Sequence, residues 1–276
     1  MYYEQIVIIL VVNILCALGA WISLSSGVLV LALGSAFSVG AISSAISHAE
    51  GVGFPVAILT GATLAALLMG IVYLLNARAS GFVFAISTLA AAEALRVLIT
   101  NIDMFGGALG FTRVRMMNSY STALVFGCAV TIIAALFDRN GARDSLVAVA
   151  ENPRLAVTCG INPYRVRAFA CVTAGALCGM GGALSVHSTG ILEPRSFGFE
   201  QGMQILVFGI LGGPRWWGPV ISAIVLTIVP EIAQFSHEVR MFSYCAILIF
   251  ALILLPRGLS GGLLRSLPPS FARTFR

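Results

Sequence analysis

Glu93 and Arg96 stand three residues apart inside an apolar stretch of this 276-residue chain, a spacing that puts both on one face of a helix. A lone charge at mid-bilayer costs about 2.5–3.5 kcal/mol on insertion scales, and pairing or water lowers that figure. Both side chains are therefore expected to face a bundle interior. They could lock one membrane span to its neighbours, or they could form part of a gate or solute pathway. Gln201 and Gln204 repeat the three-residue spacing ahead of Gly212-Gly213-Pro214. A helix broken at membrane depth persists where it is buried in protein or lines a cavity, so this segment reads as polar pathway lining or as an ordinary tight turn. No other acid sits deep in an apolar stretch, which argues against a proton relay.

Other chemistries lack their residues. All sixteen basic residues are arginine and none is lysine. A Walker A loop ends in Gly-Lys-Ser/Thr and Schiff-base catalysis needs a lysine amine, so ATP-driven work would have to be powered by another chain. The six cysteines show no C-x-x-C and mostly lie in apolar stretches, where cysteine behaves as a small hydrophobe. His48, His187 and His237 have no ligand spacing and read as independent interfacial residues. No metal site is expected. No HExxH, GxSxG or clustered His/Asp occurs, so the chain is not expected to be an enzyme.

The elements that must position these residues follow from composition. Apolar residues make up 59% and charged residues 10%, against about 25% charged in ordinary soluble domains, and the mean hydropathy is +0.99. This is the profile of an all-α polytopic membrane protein. No charged residue lies between Glu4 and Glu50. At about 20 residues per crossing, that length holds two spans, placed at 5–23 and 28–46. The first is too long and lacks the basic flank of a cleavable signal. Further spans are placed at 54–75, 82–100, 119–137, 168–187, 217–235 and 241–256, with a short segment at 201–213. The total is about nine, within a range of eight to ten. A Gly-rich stretch at 101–118 reads as a loop or re-entrant segment.

Arginine placement orients the chain. With 138–167 and the 257–276 tail in the cytoplasm, eleven arginines fall inside. Four lie outside (Arg113, Arg115, Arg195 and Arg240), and Arg96 lies in the membrane. The net charge of +5 thus reflects topology and implies no nucleic-acid partner.

The 138–167 loop is the only long charged one. Asn152-Pro153 reads as an N-cap followed by proline at N1, and Gly160 as the C′ residue that closes a helix over 153–159. Asn162-Pro163 repeats the start signal, and 142–150 forms a helical lead-in. Such a compact helix suits either docking into a partner's groove or a plain structured connector.

Ala150-Glu151-Asn152-Pro153-Arg154-Leu155-Ala156, followed by Cys159-Gly160-Ile161-Asn162, resembles the cytoplasmic coupling loop of ABC-importer permeases. Ala176-Leu177-Cys178-Gly179-Met180-Gly181-Gly182-Ala183-Leu184 resembles one branch of them, the branched-chain amino acid permeases. So do Gly209-Ile210-Leu211-Gly212-Gly213, Trp217-Gly218-Pro219-Val220, Pro230-Glu231 and Pro256-Arg257-Gly258-Leu259-Ser260-Gly261. In the first half, Ala85-Ile86-Ser87-Thr88-Leu89-Ala90 with Glu93 and Arg96, and Gly106-Gly107 with Gly110, are also similar. The resemblance covers about residues 25–262.

The resemblance implies an ABC-importer permease bundle forming a single domain over 1–276. Such a permease supplies half of an importer's pathway for branched-chain or other hydrophobic amino acids. It implies coupling to two cytoplasmic ATPase subunits through Ser145, Ala148, Glu151, Asn152, Pro153, Arg154, Ala156, Gly160 and Ile161. ATP and Mg belong to those subunits, and this chain binds no cofactor. It adds Ser87 and Thr88 to the pathway candidates Glu93, Arg96, Gln201 and Gln204. It implies a second, distinct permease subunit and a solute-binding protein, for which the four outer arginines are docking candidates or else ordinary solvated loop charge. Location in the bacterial inner membrane, in contact with lipid, follows. One departure stands out: Val30-Leu31-Ala32-Leu33-Gly34-Ser35-Ala36-Phe37 replaces the Gly-Gln-Leu-Ser-Leu-Gly-like stretch usual in carriers of branched-chain amino acids, and relatives also take urea, short amides or small carboxylates. The alternative is an ATP-independent channel or secondary transporter for a small polar solute. The Gly175/Gly179/Gly182 stripe is expected to be a close-packing face, part of it against the second permease.

Overall fold

The computed structural model describes residues 2–79, 81–101, 120–139, 141–190 and 198–232. Within them the chain forms ten helices and no strand. They are α1 (Tyr2–Ser25), α2 (Leu33–Ala49), α3 (Phe54–Asn76), α4 (Phe82–Asn101), α5 (Tyr120–Arg139), α6 (Ala142–Glu151), α7 (Pro153–Thr158), α8 (Pro163–Thr189), α9 (Phe199–Gly212) and α10 (Trp217–Ile232). Among the described residues, five helices are long and apolar enough to cross a bilayer: Glu4–Ser25, Phe54–Asn76, Phe82–Asn101, Thr122–Arg139 and Pro163–Thr189. The last span expected from the sequence, at 241–256, the tail 257–276, and the 101–118 loop beyond Asn101 lie outside the described residues.

The layering is that of a membrane bundle. α8 is the axis and packs on α1, α2 and α3. In its most apolar window 67% of residues are buried, against 22% in the window of α5. The peripheral helices turn large apolar side chains outward, among them Leu67, Leu75, Phe82 and Ile133, as lipid-facing surfaces do. Three buried serines are satisfied by carbonyls one turn back in the chain. The hydroxyls of Ser23, Ser35 and Ser38 donate to carbonyl oxygens three residues back at 2.7–2.9 Å, which removes the need for water.

The glycine stripe of α8 is filled by the chain itself. A Cβ at Gly179 would lie 3.0 Å from the Gly61 carbonyl oxygen of α3 and would collide with Ala65. One at Gly182 would overlap the Phe37 carbonyl of α2. The close-packing reading holds, but the partners are α2 and α3 of this chain, and these glycine positions leave no room for a second permease.

Two boundaries differ from the hydropathy reading. α2 starts at Leu33, not 28, because Gly27 turns the chain at φ +73° and residues 28–32 are not helical. Val28 and Val30 are buried there, and buried apolar residues give the same hydropathy in extended and helical backbone. α8 starts at Pro163, not 168. Asn162 caps it, so Arg165 and Arg167 belong to its first turns.

Candidate functional site

The 138–167 loop is rigidly built. α5 ends at Arg139, and Asp138 pairs with Arg143 across the turn at 3.3 Å, where Gly141 takes φ +70°. α6 is amphipathic. Its buried Leu146 joins Trp21 and Ile22 of α1 and Ala170 of α8 in one apolar cluster, with Phe137 and Val166 packed on it. The α1–α2 turn rests on α6, since a Cβ at Gly27 would come 2.9 Å from Ala150 Cα. The Asn152 side chain then accepts from the N–H groups of Arg154 (3.1 Å) and Leu155 (3.2 Å). At the other end of α7, Gly160 takes φ +80°. The Ile161 N–H donates to the Ala156 carbonyl and the Gly160 N–H to the Val157 carbonyl, both at 3.0 Å. That pair of bonds is a Schellman closure. Asn162 caps α8 by donation from the Tyr164 N–H (3.0 Å) and the Arg165 N–H (3.4 Å).

This architecture sorts the loop candidates. Glu151, Asn152, Arg154 and Gly160 are exposed, while Ala148, Pro153 and Ile161 are half-buried. Ser145 is half-buried and donates to the Ala142 carbonyl at 2.9 Å. Ala156 is 3% exposed, because the turn of α7 that presents its neighbours directs its methyl inward. The outward apolar residues are Leu155 (62% exposed) and Val157 (58%), which the sequence reading did not single out. The signal was present, since flanking an inward residue on a six-residue helix leaves them outside.

A second constellation lies where α2, α4 and α9 meet. Glu93 Oε2 accepts from Arg96 Nε at 2.7 Å, and Glu93 Oε1 accepts from the Phe199 N–H, the first of α9, at 3.0 Å. The Glu93 carboxylate thus fixes Arg96 on its own helix and anchors α9, a placement that also suits the positive end of a helix dipole. Gly198 permits the approach, because a Cβ there would lie 2.6 Å from Arg96 Cδ and 3.0 Å from Glu93 Oε1. Gly34 at the start of α2 and Gly202 of α9 are equally tight, with hypothetical Cβ atoms 2.7 Å from the Gly198 oxygen and 2.6 Å from the Leu31 oxygen. Thr88, fully buried, donates to the Ala85 carbonyl (2.8 Å) and accepts from the Leu31 N–H (3.2 Å). It ties α4 to the non-helical stretch before α2.

The structure therefore brings Thr88, Glu93 and Arg96 to one junction. Ser87 is half-buried and donates to the Phe84 carbonyl at 2.9 Å. Gln201 and Gln204 are half-buried on α9. At 1.5 Å per residue, α9 rises only about 21 Å, and Glu93 stands about 16 Å along α4. The anchored start of α9 thus lies beside the middle of α4.

Arg113, Arg115, Arg195 and Arg240 lie outside the described residues, as does His237. His48 and His187 correct the reading of independent histidines. Their rings meet at 5.1 Å and 88°, with Phe54 also 5.1 Å from His187. His187 Nε2 is 2.9 Å from Ser44 Oγ, and His48 Nδ1 donates to the Val52 carbonyl at 3.0 Å. Helix pairing across α2 and α8 made this contact, which no sequence spacing encodes. Among the described residues, no three His, Cys, Asp or Glu side chains converge as a metal site would require.

Residues 2–255 match the family described as the permease component of branched-chain amino acid transport systems. The chain is 25% identical over 275 residues to the high-affinity branched-chain amino acid transport system permease protein LivM of Escherichia coli K12, covering 85% of this chain and 64% of LivM. The LivM protein of Salmonella typhimurium is 24% identical over the same shares. The LivH permease protein of Escherichia coli K12 is 32% identical over 117 residues, 41% of this chain and 38% of LivH. The chain thus spans just under two thirds of the length of the LivM proteins. No solved structure matches it. With a family match across nearly its whole length and apolar helices to cross a bilayer, the chain is an integral membrane protein that belongs to the branched-chain amino acid transport system permease family.

Proposed function

We propose that this chain is a transmembrane subunit of an ATP-driven ABC importer of the bacterial inner membrane. It carries branched-chain or other hydrophobic amino acids and forms half of the translocation pathway beside a second permease. ATP is hydrolysed on two separate cytoplasmic subunits that grip residues 144–161, and an extracytoplasmic binding protein delivers the solute. The observation that carries this reading is the two-faced loop. α6 buries Leu146 against Trp21 and Ala170, while α7, capped at both ends, offers Leu155 and Val157 to the cytoplasm. A partner that moves α7 therefore pushes on α1 and α8 through one apolar cluster, and a rocking change between two packed states is the motion this serves. ATP would supply the drive on the partner chains.

The test is reconstitution of the chain with its ATPase subunits, second permease and binding protein in liposomes. Wild-type assemblies should show ATP-dependent uptake of leucine-class amino acids. Glu151→Arg, or Leu155→Ser with Val157→Ser, should break the link between hydrolysis and uptake while the permease stays folded. Maleimide labelling of Cys159, exposed at the C-cap of α7, should be blocked when the ATPases are bound. Uptake by the permeases without ATPases, or unaltered coupling in these variants, would overturn the proposal.

A further inference from the structure

Among the described arginines, Arg143 and Arg167 each have a buried Nε with no hydrogen-bond partner, and of the two only Arg143 has a described acid beside it, Asp138 at 3.3 Å. Beside Arg167, one turn into α8, lies a cavity of about 70 Å³ between the α1–α2 turn at 27–29, the α3–α4 turn at 77–81, Phe84 and Tyr73. None of the lining residues is acidic. The Tyr73 hydroxyl donates to the Tyr164 carbonyl at 3.1 Å, so its proton is already committed. Arg167 as a whole is half-buried, and its buried donor without a partner calls for a missing water or ion. The cavity is several times the ~10–15 Å³ that a single water requires.

Its surroundings say which anion. Ala77 and Ala79 of the lining flank the exposed Arg78 in the chain. The two helix ends framing it turn Leu74, Leu75, Phe82 and Val83 outward, with Leu75 79% and Phe82 77% exposed. An arginine on the lining, a second arginine between two lining residues and a flanking apolar wall match an amphiphile with an anionic head and acyl tails. In the arginine-derived orientation this is the cytoplasmic leaflet, where basic pockets between membrane helices take lipid head groups. We propose that the Arg167 cavity is a binding site for the phosphodiester head group of an anionic phospholipid of the inner leaflet. Arg167 holds the phosphate, Arg78 lies between two lining residues, and the acyl chains lie along the ends of α3 and α4. The bound lipid bridges the α1–α2 and α3–α4 turns to α8. The site does not depend on which solute is carried.

The full-length chain in nanodiscs tests this with three conditions: phosphatidylcholine alone, phosphatidylcholine with phosphatidylglycerol, and phosphatidylcholine with inorganic phosphate in the buffer. The melting temperature should rise by several degrees with phosphatidylglycerol only. Arg167→Gln should abolish that rise. Arg165→Gln, two residues away but lining a different cavity, should keep it. Native mass spectrometry of the wild-type chain needs no variant to fold, and should find retained phosphatidylglycerol enriched about tenfold over its bulk share, as one charge-assisted contact allows. A full response in Arg167→Gln, an equal response to inorganic phosphate, or retained lipid of bulk composition would each overturn the assignment.

Discussion

The indole N–H of Trp21 donates to the Pro214 carbonyl oxygen at 2.8 Å, fastening the C-terminal end of α1 to the turn between α9 and α10. Trp21 also sits in the cluster with Leu146 of α6, so one side chain touches both the 138–167 loop and the break that ends α9. Trp21→Phe keeps most of the apolar contact but leaves a carbonyl without its donor, which costs about 1–3 kcal/mol. Trp21→Ala adds a cavity and should cost about 3–5 kcal/mol. Thermal melts of the purified chain should order the proteins wild type, Phe, Ala. A Phe variant that melts with the wild type would show that this bond contributes nothing to the joint.

Helix approach at α8 gives a contrast between glycines. At Gly179 a Cβ would run into Ala65 and into the backbone oxygen of Gly61, and backbone cannot swing aside. Gly179→Ala should therefore destabilise by about 1–3 kcal/mol, the usual range for overpacking. At Gly53 a Cβ meets nothing within 4 Å and φ is −58°, so Gly53→Ala should be near neutral. Equal melting temperatures for the two variants would contradict the packing of α8 on α3.

How much of this was legible in the sequence depends on the kind of signal. Local backbone chemistry was readable: Asn152-Pro153, Gly160 and Asn162-Pro163 mark caps whose hydrogen bonds involve neighbours a few residues away. Hydropathy placed the long spans but could not tell the buried non-helical stretch 28–32 from helix, because both environments favour the same residues. Pairings between distant segments were not readable. Glu93 to Phe199, His48 to His187 and Trp21 to Pro214 are set by helix packing. The α8 glycine stripe announced close approach without naming its partner.

α7 is held by its ends, with six residues and one buried side chain between them. A helix that short has little stability of its own, so its caps decide whether it is ordered. Asn152→Ala should cost about 0.5–2 kcal/mol, and Asn152→Asp should restore most of it. Gly160→Ala places a Cβ in the left-handed region and should cost about 1–2 kcal/mol. Both losses should be local, appearing as faster amide exchange over 153–161 with the melting temperature of the bundle little changed. Unaltered exchange in Asn152→Ala would mean that the cap is not what orders the loop.

Gly198 and Arg96 should show coupling of a particular sign. A methyl on Gly198 would press on Arg96 Cδ at 2.6 Å, so Gly198→Ala must push either the guanidinium off Glu93 or α9 off α4. Arg96→Ala removes the closest obstruction, and leaves Glu93 still bonded to the Phe199 N–H. The double variant should therefore be more stable than the sum of the two single losses predicts. Independent sites add within about 0.3–0.5 kcal/mol, and contacting residues couple by about 0.5–3 kcal/mol. A double-mutant cycle on melting free energies reads this directly. Glu93→Ala in place of Arg96→Ala should give no such relief, because it frees Arg96 and also strips the first N–H of α9 of its acceptor. Additivity in the Arg96 cycle would mean that α9 is not seated against α4 through this glycine.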